Sequence, residues 1–272
     1  MIPDTLVSEI RNQQVILFVG AGLSMNLGLP SWSDLIDHMA TELGYDKRIF
    51  EGLGDALQLA EYFKIKKTTL GSLRSWMDRN WHKDEGKVDS SRAHQALVNL
   101  KIPTIYTTNY DQWLEIAFKR RKVEFVKIAN VGDFTKSASG KIEIVKFHGD
   151  LEDDSSLVLT EASYFERLSF ESPLDLKLRA DIIGKSVLFI GYSLRDPNIR
   201  YLQYKLHRLW ADSEYSKARP KSYIFLSRPN EVQETILTER GITPITEDSG
   251  KPGEGLILFL EELQLRAFGV KP

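Results

Sequence analysis

The 272-residue sequence predicts an α/β protein with a doubly wound, Rossmann-like parallel sheet covered by helices on both faces. Apolar runs of strand length, such as Val15 to Val19 and Val187 to Gly191, recur along the chain. Helical patterns of about 10 to 15 residues separate these runs, which is typical of βαβ units. Strands that are apolar throughout favour a parallel sheet, because both faces of such a sheet are buried.

Composition narrows the possible functions. The formal net charge is −2 at pH 7, so no overall basic excess favours direct binding of nucleic acid. The chain has no cysteine, which excludes disulfides, thiol nucleophiles and cysteine-ligated zinc. No signal peptide is evident, and no apolar run approaches the roughly 20 residues that span a bilayer. We therefore expect a cytoplasmic protein without a membrane segment.

The first predicted elements are a short helix, a strand and a glycine-rich loop. Leu6 and Ile10 lie on one face of the helix, and the strand Val15 to Val19 follows. The loop Gly20-Ala21-Gly22-Leu23-Ser24 comes next and is expected to lead into a second helix near Ser24.

The following region reads as helical. Apolar residues at helical spacing predict a helix from Trp32 to Leu43, with Ser31 or Ser33 as its cap and Gly44 as its stop. Residues 45–92 contain no convincing strand pattern. We interpret them as a helical insert, with helices around residues 55–64 and 70–81.

The rest of the chain alternates between strand and helix patterns. The predicted strands are 103–108, 123–128, 142–147, 156–160, 186–191, 221–227 and 242–246. The predicted helices are 111–121, 161–168, 173–183, 197–210, 230–240 and 255–268. No repeat or long linker interrupts the pattern, so residues 1–272 are predicted to form a single domain.

Parallel sheets bind ligands at the carboxyl ends of their strands, so the residues after each strand are the site candidates. Gly20 and Gly22 would let the backbone approach a pyrophosphate at the start of a helix. A lone glycine pair is equally well explained by a tight turn. A dehydrogenase motif fits poorly, because Met25 replaces the third glycine and no acidic strand end follows about 20 residues later.

Polar residues also follow three later strands. Asn109 and Asp111 come after residues 103–108, where either residue would also serve as a helix cap. His148 ends the strand 142–147, and the glycine after it is expected to leave the imidazole accessible. Ser193 suits a ribose hydroxyl, whereas Asp196 is equally well explained by helix capping.

Five motifs, in this order, resemble those of sirtuins. They are Val19-Gly20-Ala21-Gly22-Leu23-Ser24, Gly28-Leu29-Pro30, Thr108-Asn109-Tyr110-Asp111, Phe147-His148-Gly149 and Gly191-Tyr192-Ser193. The resemblance extends from Leu6 to about Phe268. It is closer still to the sirtuin-like domain of bacterial antiphage effectors of the Thoeris type, which shares the Asn-Tyr-Asp, His-Gly-Asp and Gly-Tyr-Ser-x-x-Asp-Pro-Asn variants.

Two departures separate the chain from sirtuin deacylases. Deacylases of that family usually hold zinc with four cysteines after the His-Gly pair, and the corresponding segment 151–165 has none. Ser31-Trp32-Ser33 also replaces the Phe-Arg pair that helps to cover the nicotinamide end. The resemblance therefore implies a sirtuin-like fold with a helical insert and no zinc module.

The resemblance implies an NAD+ glycohydrolase that cleaves NAD+ to nicotinamide and ADP-ribose and defends against phage by depleting NAD+. In this scheme Asn109 orients the attacking water or the ribose, and Asp111 accepts a hydrogen bond from the carboxamide. His148 binds the ribose hydroxyls and acts as a general base, with an ordinary pKa near 6.5. The implied nucleotide-binding residues are Gly20, Ala21, Gly22 and Ser24 at the pyrophosphate, Gly191 and Ser193 at the adenosine ribose, and Pro30, Thr108, Asp196 and Asn198.

Two alternatives stay open: an NAD+-dependent protein deacylase, which the absence of cysteine disfavours, and a non-catalytic module that reports NAD+ or ADP-ribose to a partner. NAD+ is expected as substrate, with no further cofactor, no zinc and no other metal, since no histidines have the spacing of a ligand pair. A toxic NADase has to be restrained. We therefore also expect a homo-oligomer and a sensor domain or partner chain that regulates activity.

Overall fold

The computed structural model describes residues 1–137, 140–153, 156–167, 169, 171–192, 197–211, 214–228, 230–247 and 251–269. Within these residues seven strands form one sheet, in the order β3-β4-β2-β1-β5-β6-β7. Every neighbouring pair is parallel, as predicted. The strands are β1 (Val15–Val19), β2 (Thr104–Thr107), β3 (Phe125–Ile128), β4 (Ile142–Lys146), β5 (Ser186–Ile190), β6 (Ser222–Leu226) and β7 (Ile242–Thr246).

Helices cover both faces of the sheet. They are α1 (Asp4–Arg11), α2 (Trp32–Leu43), α3 (Lys47–Glu51), α4 (Ala56–Lys67), α5 (Gly71–Trp81), α6 (Arg92–Asn99), α7 (Trp113–Arg120), α8 (Glu161–Arg167), α9 (Pro173–Ile183), α10 (Pro197–Ala211), α11 (Glu231–Glu239) and α12 (Pro252–Phe268). None of these described helices is long and apolar enough to cross a bilayer.

Central strand β1 shows how the two faces arise. All five of its residues are buried. Leu17 belongs to an apolar cluster with residues of α1, α6, α7 and α12. Phe18, the next residue, belongs to a second cluster with residues of α9, α10 and α11. Because successive side chains of a strand point to opposite faces, a fully apolar β1 supports helices on both sides.

The sheet has a topological switch point between β1 and β5. From β1 the chain proceeds to β2 on one side, whereas from β5 it proceeds to β6 on the other. The loops that follow these two adjacent strands therefore diverge and leave a crevice at the carboxyl edge of the sheet. Crevices of this kind are where open α/β sheets bind ligands.

Residues 45–92 form helices above that edge. They include α3, α4 and α5 and contain no strand. With α2 they build a third apolar cluster around Phe50, Phe63 and Met77, which also takes in Leu157 and Leu159. The insert therefore packs directly against the loops that leave the carboxyl ends of the strands.

Three sequence-based assignments differ from the structure. The predicted strand 156–160 is wrong, because these residues pair with no strand of the described chain; Val158 N donates to His148 O at 2.9 Å. Their alternating leucines reflect burial under the insert. Helix α6, capped by Ser91, was not predicted.

The third difference concerns the loop after β1. The predicted helix near Ser24 is wrong, because Ala21–Leu23 and Met25–Leu27 are single 3₁₀ turns. They end at Gly28, whose φ of +82° breaks the helical path. No α-helix of the described chain therefore begins at Ser24, and its N-terminal dipole is not available to a phosphate there.

Candidate active site

A pocket lies at the carboxyl ends of β1, β2 and β4, where open parallel sheets bind ligands. The insert and the loop before α2 form its outer walls. Its described lining residues are Ala21, Leu29, Pro30, Ser31, Trp32, Leu35, Trp81, Thr108, Asn109, Tyr110, Asp111, His148 and Tyr164.

The structure brings six of the predicted site residues together in this pocket. They are Ala21, Pro30, Thr108, Asn109, Asp111 and His148. Gly20, Gly22, Ser24 and Gly191 lie outside the described lining. Ser193, Asp196 and the side chain of Asn198 lie outside the described part of the chain.

The glycines after β1 and β5 are explained by contact between their two loops. A Cβ atom on Gly20 would lie 2.6 Å from Gly191 O, and one on Gly22 would lie 2.9 Å from the same oxygen. Gly22 N donates to Gly191 O at 2.9 Å, and Gly191 has a φ of +69°. Glycine is therefore required here by backbone packing at the switch point, whether or not a phosphate binds.

Ser24, Asn109 and Asp111 form a buried hydrogen-bonded triad. Ser24 Oγ donates to Asp111 Oδ1 at 3.0 Å and accepts from Asn109 Nδ2 at 3.4 Å. Asn109 N donates to Thr107 Oγ1 at 3.0 Å, which anchors the loop to β2. Ser24 is fully buried. Its hydroxyl therefore orients Asn109 and Asp111, and its predicted contact with a pyrophosphate stays a prediction.

Aromatic side chains form much of the remaining wall. Trp81, Tyr110 and Tyr164 are buried, and Trp32 is 40% exposed at the mouth. Tyr110 OH donates to Val158 O at 2.6 Å, which fixes its ring. Nothing in the sequence places the end of α5, and with it Trp81, over the pocket. Flat apolar walls of this kind suit an aromatic ring.

The imidazole of His148 is more enclosed than predicted. The residue is 1% exposed, and its ring meets that of Tyr164 edge-on at 5.1 Å between centroids. Burial, reinforced by the nearby charge of Arg167, lowers the pKa of His148 to about 3. The expectation of an accessible ring with an ordinary pKa is therefore wrong, and His148 is neutral at pH 7.

Gly149 is required by the backbone conformation and does not make His148 accessible. Its φ is +91°, and a Cβ atom there would lie 2.1 Å from the carbonyl oxygen of Ser156. The chain turns sharply after His148, and the segment that follows residue 155 passes directly over it. A side chain at position 149 would collide with that segment.

A buried ion cluster lies behind the triad, and sequence reasoning missed it. Lys146 is fully buried at the end of β4, and its Nζ donates to Asp111 O. The same Nζ lies 3.3 Å from Glu115 Oε1 and 3.6 Å from Asp150 Oδ2. The sequence feature that could have indicated the cluster is Lys146 itself, a lysine between apolar residues at the end of a strand, two residues before His148.

The buried carboxyl groups of this cluster have shifted pKa values. Burial raises the pKa of Asp111, and the ammonium of Lys146 partly opposes that effect. Burial likewise raises the pKa of Glu115. The charge state of this cluster therefore depends on Lys146.

We predict that two buried histidines, His94 and His148, make the protein lose stability as the pH falls from about 6.5 to 4. Burial lowers the pKa of His94 to about 4 and that of His148 to about 3. An unfolded histidine titrates near pH 6.5. Between these values the unfolded chain binds protons that the folded chain does not, so the free energy of unfolding decreases as the pH falls. Urea denaturation at pH 7, 6 and 5 measures this slope.

The variant His94→Gln isolates one of the two histidines. His94 is buried beside Ser91 Oγ, 2.8 Å from its Nδ1, and it does not line the pocket. Since glutamine does not titrate, the variant should show a shallower decrease between pH 6.5 and 4. Parallel pH profiles for the two proteins would contradict the prediction.

Fold and site together define an α/β protein with a ligand pocket at the switch point of a parallel sheet. The family model described as SIR2-like domain matches residues 103–245, and the chain belongs to this family. Among the described residues, no three histidine, aspartate or glutamate side chains are grouped so that they could hold a metal ion.

Curated relatives support the same family. The chain is 30% identical over 236 residues to NAD(+) hydrolase ThsA of Bacillus cereus (strain MSX-D12), covering 83% of this chain and 46% of that protein. It is 33% identical over 199 residues to NAD(+) hydrolase ThsA of Enterococcus faecium, covering 70% and 39%. It is 29% identical over 220 residues to Defense-associated sirtuin 2 of Bacillus subtilis, covering 76% and 21%. The chain spans less than half the length of these relatives.

Proposed function

We propose that this protein is an NAD+ glycohydrolase that cleaves NAD+ to nicotinamide and ADP-ribose. One observation carries the proposal: Asn109, Asp111 and His148, from the loops after two neighbouring strands, meet in one aromatic-lined pocket. The similarity to proteins named NAD(+) hydrolase supports the same substrate.

The chemistry of the bond explains which groups are needed. Nicotinamide leaves a cationic substrate as a neutral pyridine, so its departure needs no general acid. The barrier lies in the ribose, which develops oxocarbenium character as in glycoside hydrolysis. Positioning, exclusion of bulk water and negative charge near the ribose therefore supply the rate enhancement.

Each residue of the pocket has a role in this scheme. Asn109, held by Ser24, orients the attacking water or the ribose. His148 is neutral at pH 7, so a ring nitrogen is already free of a proton and accepts a hydrogen bond from a ribose hydroxyl. The Asp111 carboxylate faces the developing positive charge. The aromatic walls of the pocket hold the nicotinamide ring and exclude water.

The remaining nucleotide extends along the crevice between the loops after β1 and β5. In this proposal the backbone at Gly20, Ala21 and Gly22 borders the pyrophosphate. Pro30 and Thr108 line the nicotinamide side of the pocket. The adenosine end is assigned to Gly191 together with Ser193, Asp196 and Asn198, as the sequence motifs suggest.

Defence against phage by NAD+ depletion is the cellular role we propose. One relative is named Defense-associated sirtuin 2, which supports it. We further propose a cytoplasmic homo-oligomer whose activity is restrained by a sensor domain or a partner chain. Molar mass in solution, measured with and without NAD+, tests the oligomer.

Product analysis tests the proposed activity. Purified protein incubated with NAD+ should release nicotinamide and ADP-ribose in equal amounts, without any acyl peptide, as quantified by chromatography. Nicotinamide release that requires an acyl-lysine peptide would replace the proposal by a deacylase. Measurable NAD+ affinity without turnover would replace it by a binding module.

A further inference from the structure

The buried ion cluster of Lys146, Glu115 and Asp150 is the feature that the proposed mechanism leaves unexplained. Lys146 and Asp150 flank the His148 turn on the β4 side, and Glu115 lies on α7 directly behind the pocket. All three residues are at most 3% exposed. Burying an ammonium and two carboxylates costs several kcal/mol per ion before their attraction is counted. An apolar side chain at position 146 would avoid that cost.

Lys146 physically joins the two loops that carry the proposed catalytic residues. Its backbone belongs to β4, two residues before His148, whereas its ammonium donates to the carbonyl of Asp111. Asp111 in turn holds Ser24 and Trp113 N through Oδ1, at 3.0 and 3.1 Å. If the Lys146 side chain moved, Asp111 and Ser24 would move with it, and the position of the Asn109 amide would change as well.

The charge balance around Lys146 is negative. The carboxylates of Glu115, on α7, and Asp150, in the β4 loop, lie 3.3 and 3.6 Å from its ammonium. From the β2 loop, Asp111 accepts from the ammonium through its backbone carbonyl, and its carboxyl is near enough for the ammonium to lower its pKa. From β3, Lys127 Nζ lies 3.3 Å from Asp150 Oδ1. From the end of α5, His82 also faces the cluster, and burial and the charge of Lys146 lower its pKa, so it contributes no positive charge near pH 7.

Lys146 and Glu115 act on Asp111 in opposite directions. The ammonium of Lys146 lowers the pKa of Asp111, against the raising effect of burial. Asp111 and Glu115 repel each other when both are ionised, since the charge of Asp111 raises the pKa of Glu115. Glu115 also competes for the ammonium of Lys146, 3.3 Å away.

We propose that Lys146 is a positioning residue of the NAD+-cleaving site, whose ammonium keeps the Asp111 carboxyl ionised beside the ribose and ties the Asp111 loop to the His148 turn. The inference rests on the proposed NAD+ cleavage. It adds that the negative charge facing the developing oxocarbenium is maintained by a buried cation that does not itself touch the substrate. Glu115 weakens the effect of Lys146 on the Asp111 carboxyl, because its own carboxylate pairs with the same ammonium.

The pH dependence of kcat for nicotinamide release tests the proposal with two variants of opposite sign. The acid limb of the profile reports protonation of Asp111 in this proposal. Lys146→Met removes the positive charge with little change in side-chain length, so the acid limb should move to higher pH by about one to three units. Glu115→Gln removes the competing carboxylate, so the acid limb should move down by about one pH unit. The KM for NAD+ should change less than about threefold in both, because only the transition state is affected.

Further variants separate this role from folding. Lys146→Arg keeps the charge and should restore the wild-type acid limb, even if kcat is lower. Lys177→Met is the matched control, because Lys177 pairs with Glu143 at 2.8 Å and Asp181 at 3.0 Å on the far side of β4 and outside the pocket. Its acid limb should coincide with that of the wild type. If Lys146→Met does not fold, Glu115→Gln and Lys146→Arg still test the proposal.

The outcomes distinguish the inference from the proposed function. A wild-type protein that releases no nicotinamide would overturn NAD+ cleavage. An active wild type with unshifted acid limbs in Lys146→Met and Glu115→Gln would overturn the role of Lys146. Carboxyl ¹³C shifts of aspartate-labelled protein, assigned with Asp111→Asn, give the Asp111 titration without turnover; an Asp111 pKa that is unchanged in Glu115→Gln would also overturn it.

Discussion

Asn109→Ala is expected to lower kcat for nicotinamide release by about 100- to 1000-fold, the usual cost of losing one preorganised polar group at a reacting centre. Asn109 is 6% exposed, and its amide is held by Ser24 within the triad. The KM for NAD+ should change little, because the amide acts on the ribose or water in the transition state and the aromatic walls still bind nicotinamide. Steady-state release of nicotinamide measures both constants.

His148→Ala should reduce kcat to a similar extent, since the ribose loses its neutral acceptor. The matched controls are Asn12→Ala, at the exposed end of α1, and His38→Ala, stacked on Trp76 in the insert. Neither side chain lines the pocket, and both variants should keep wild-type kcat. Full activity in both Asn109→Ala and His148→Ala would contradict the assignment of the site.

Gly149→Ala is expected to destabilise the folded protein by about 4 kcal/mol. A non-glycine residue in a strained backbone region costs about 1–3 kcal/mol, and overpacking adds about 1–3 kcal/mol. Both terms apply here, because φ is +91° and the new Cβ atom would lie 2.1 Å from Ser156 O. The obstructing atom is backbone, so no rotamer change relieves the contact. Urea denaturation measures the loss.

Gly184→Ala provides the matched control. Gly184 follows α9 with a φ of −110°, and a Cβ atom there would meet nothing within 4 Å. Alanine at this position should be neutral or stabilise the protein by up to about 1 kcal/mol through the unfolded chain. Equal denaturation midpoints for Gly149→Ala and the wild type would contradict the strain assigned to the His148 turn.

Local patterns predicted the elements that the structure confirms. A strand of five apolar residues such as β1 has apolar side chains on both faces, and helices on both sides of the sheet bury them. The run VILFV therefore indicated a buried parallel strand. Helix α2 was predicted from its apolar spacing, with Ser31 as one of two possible caps; the structure selects Ser31, which forms a capping box with Asp34. The predicted strand 156–160 was wrong because its alternating apolar residues are buried under the insert without pairing with a neighbouring strand.

The sequence by itself determined the parallel α/β fold and the residues after each strand, among them Asn109, Asp111 and His148. Apolar periodicity and strand ends are local properties, and the carboxyl ends of parallel strands necessarily share one edge. Only the tertiary structure decided that Trp81 forms a pocket wall, that His148 is enclosed and neutral, and that Lys146 is buried among carboxylates. Burial and ion pairing depend on segments far apart in the chain, so no local pattern contains them.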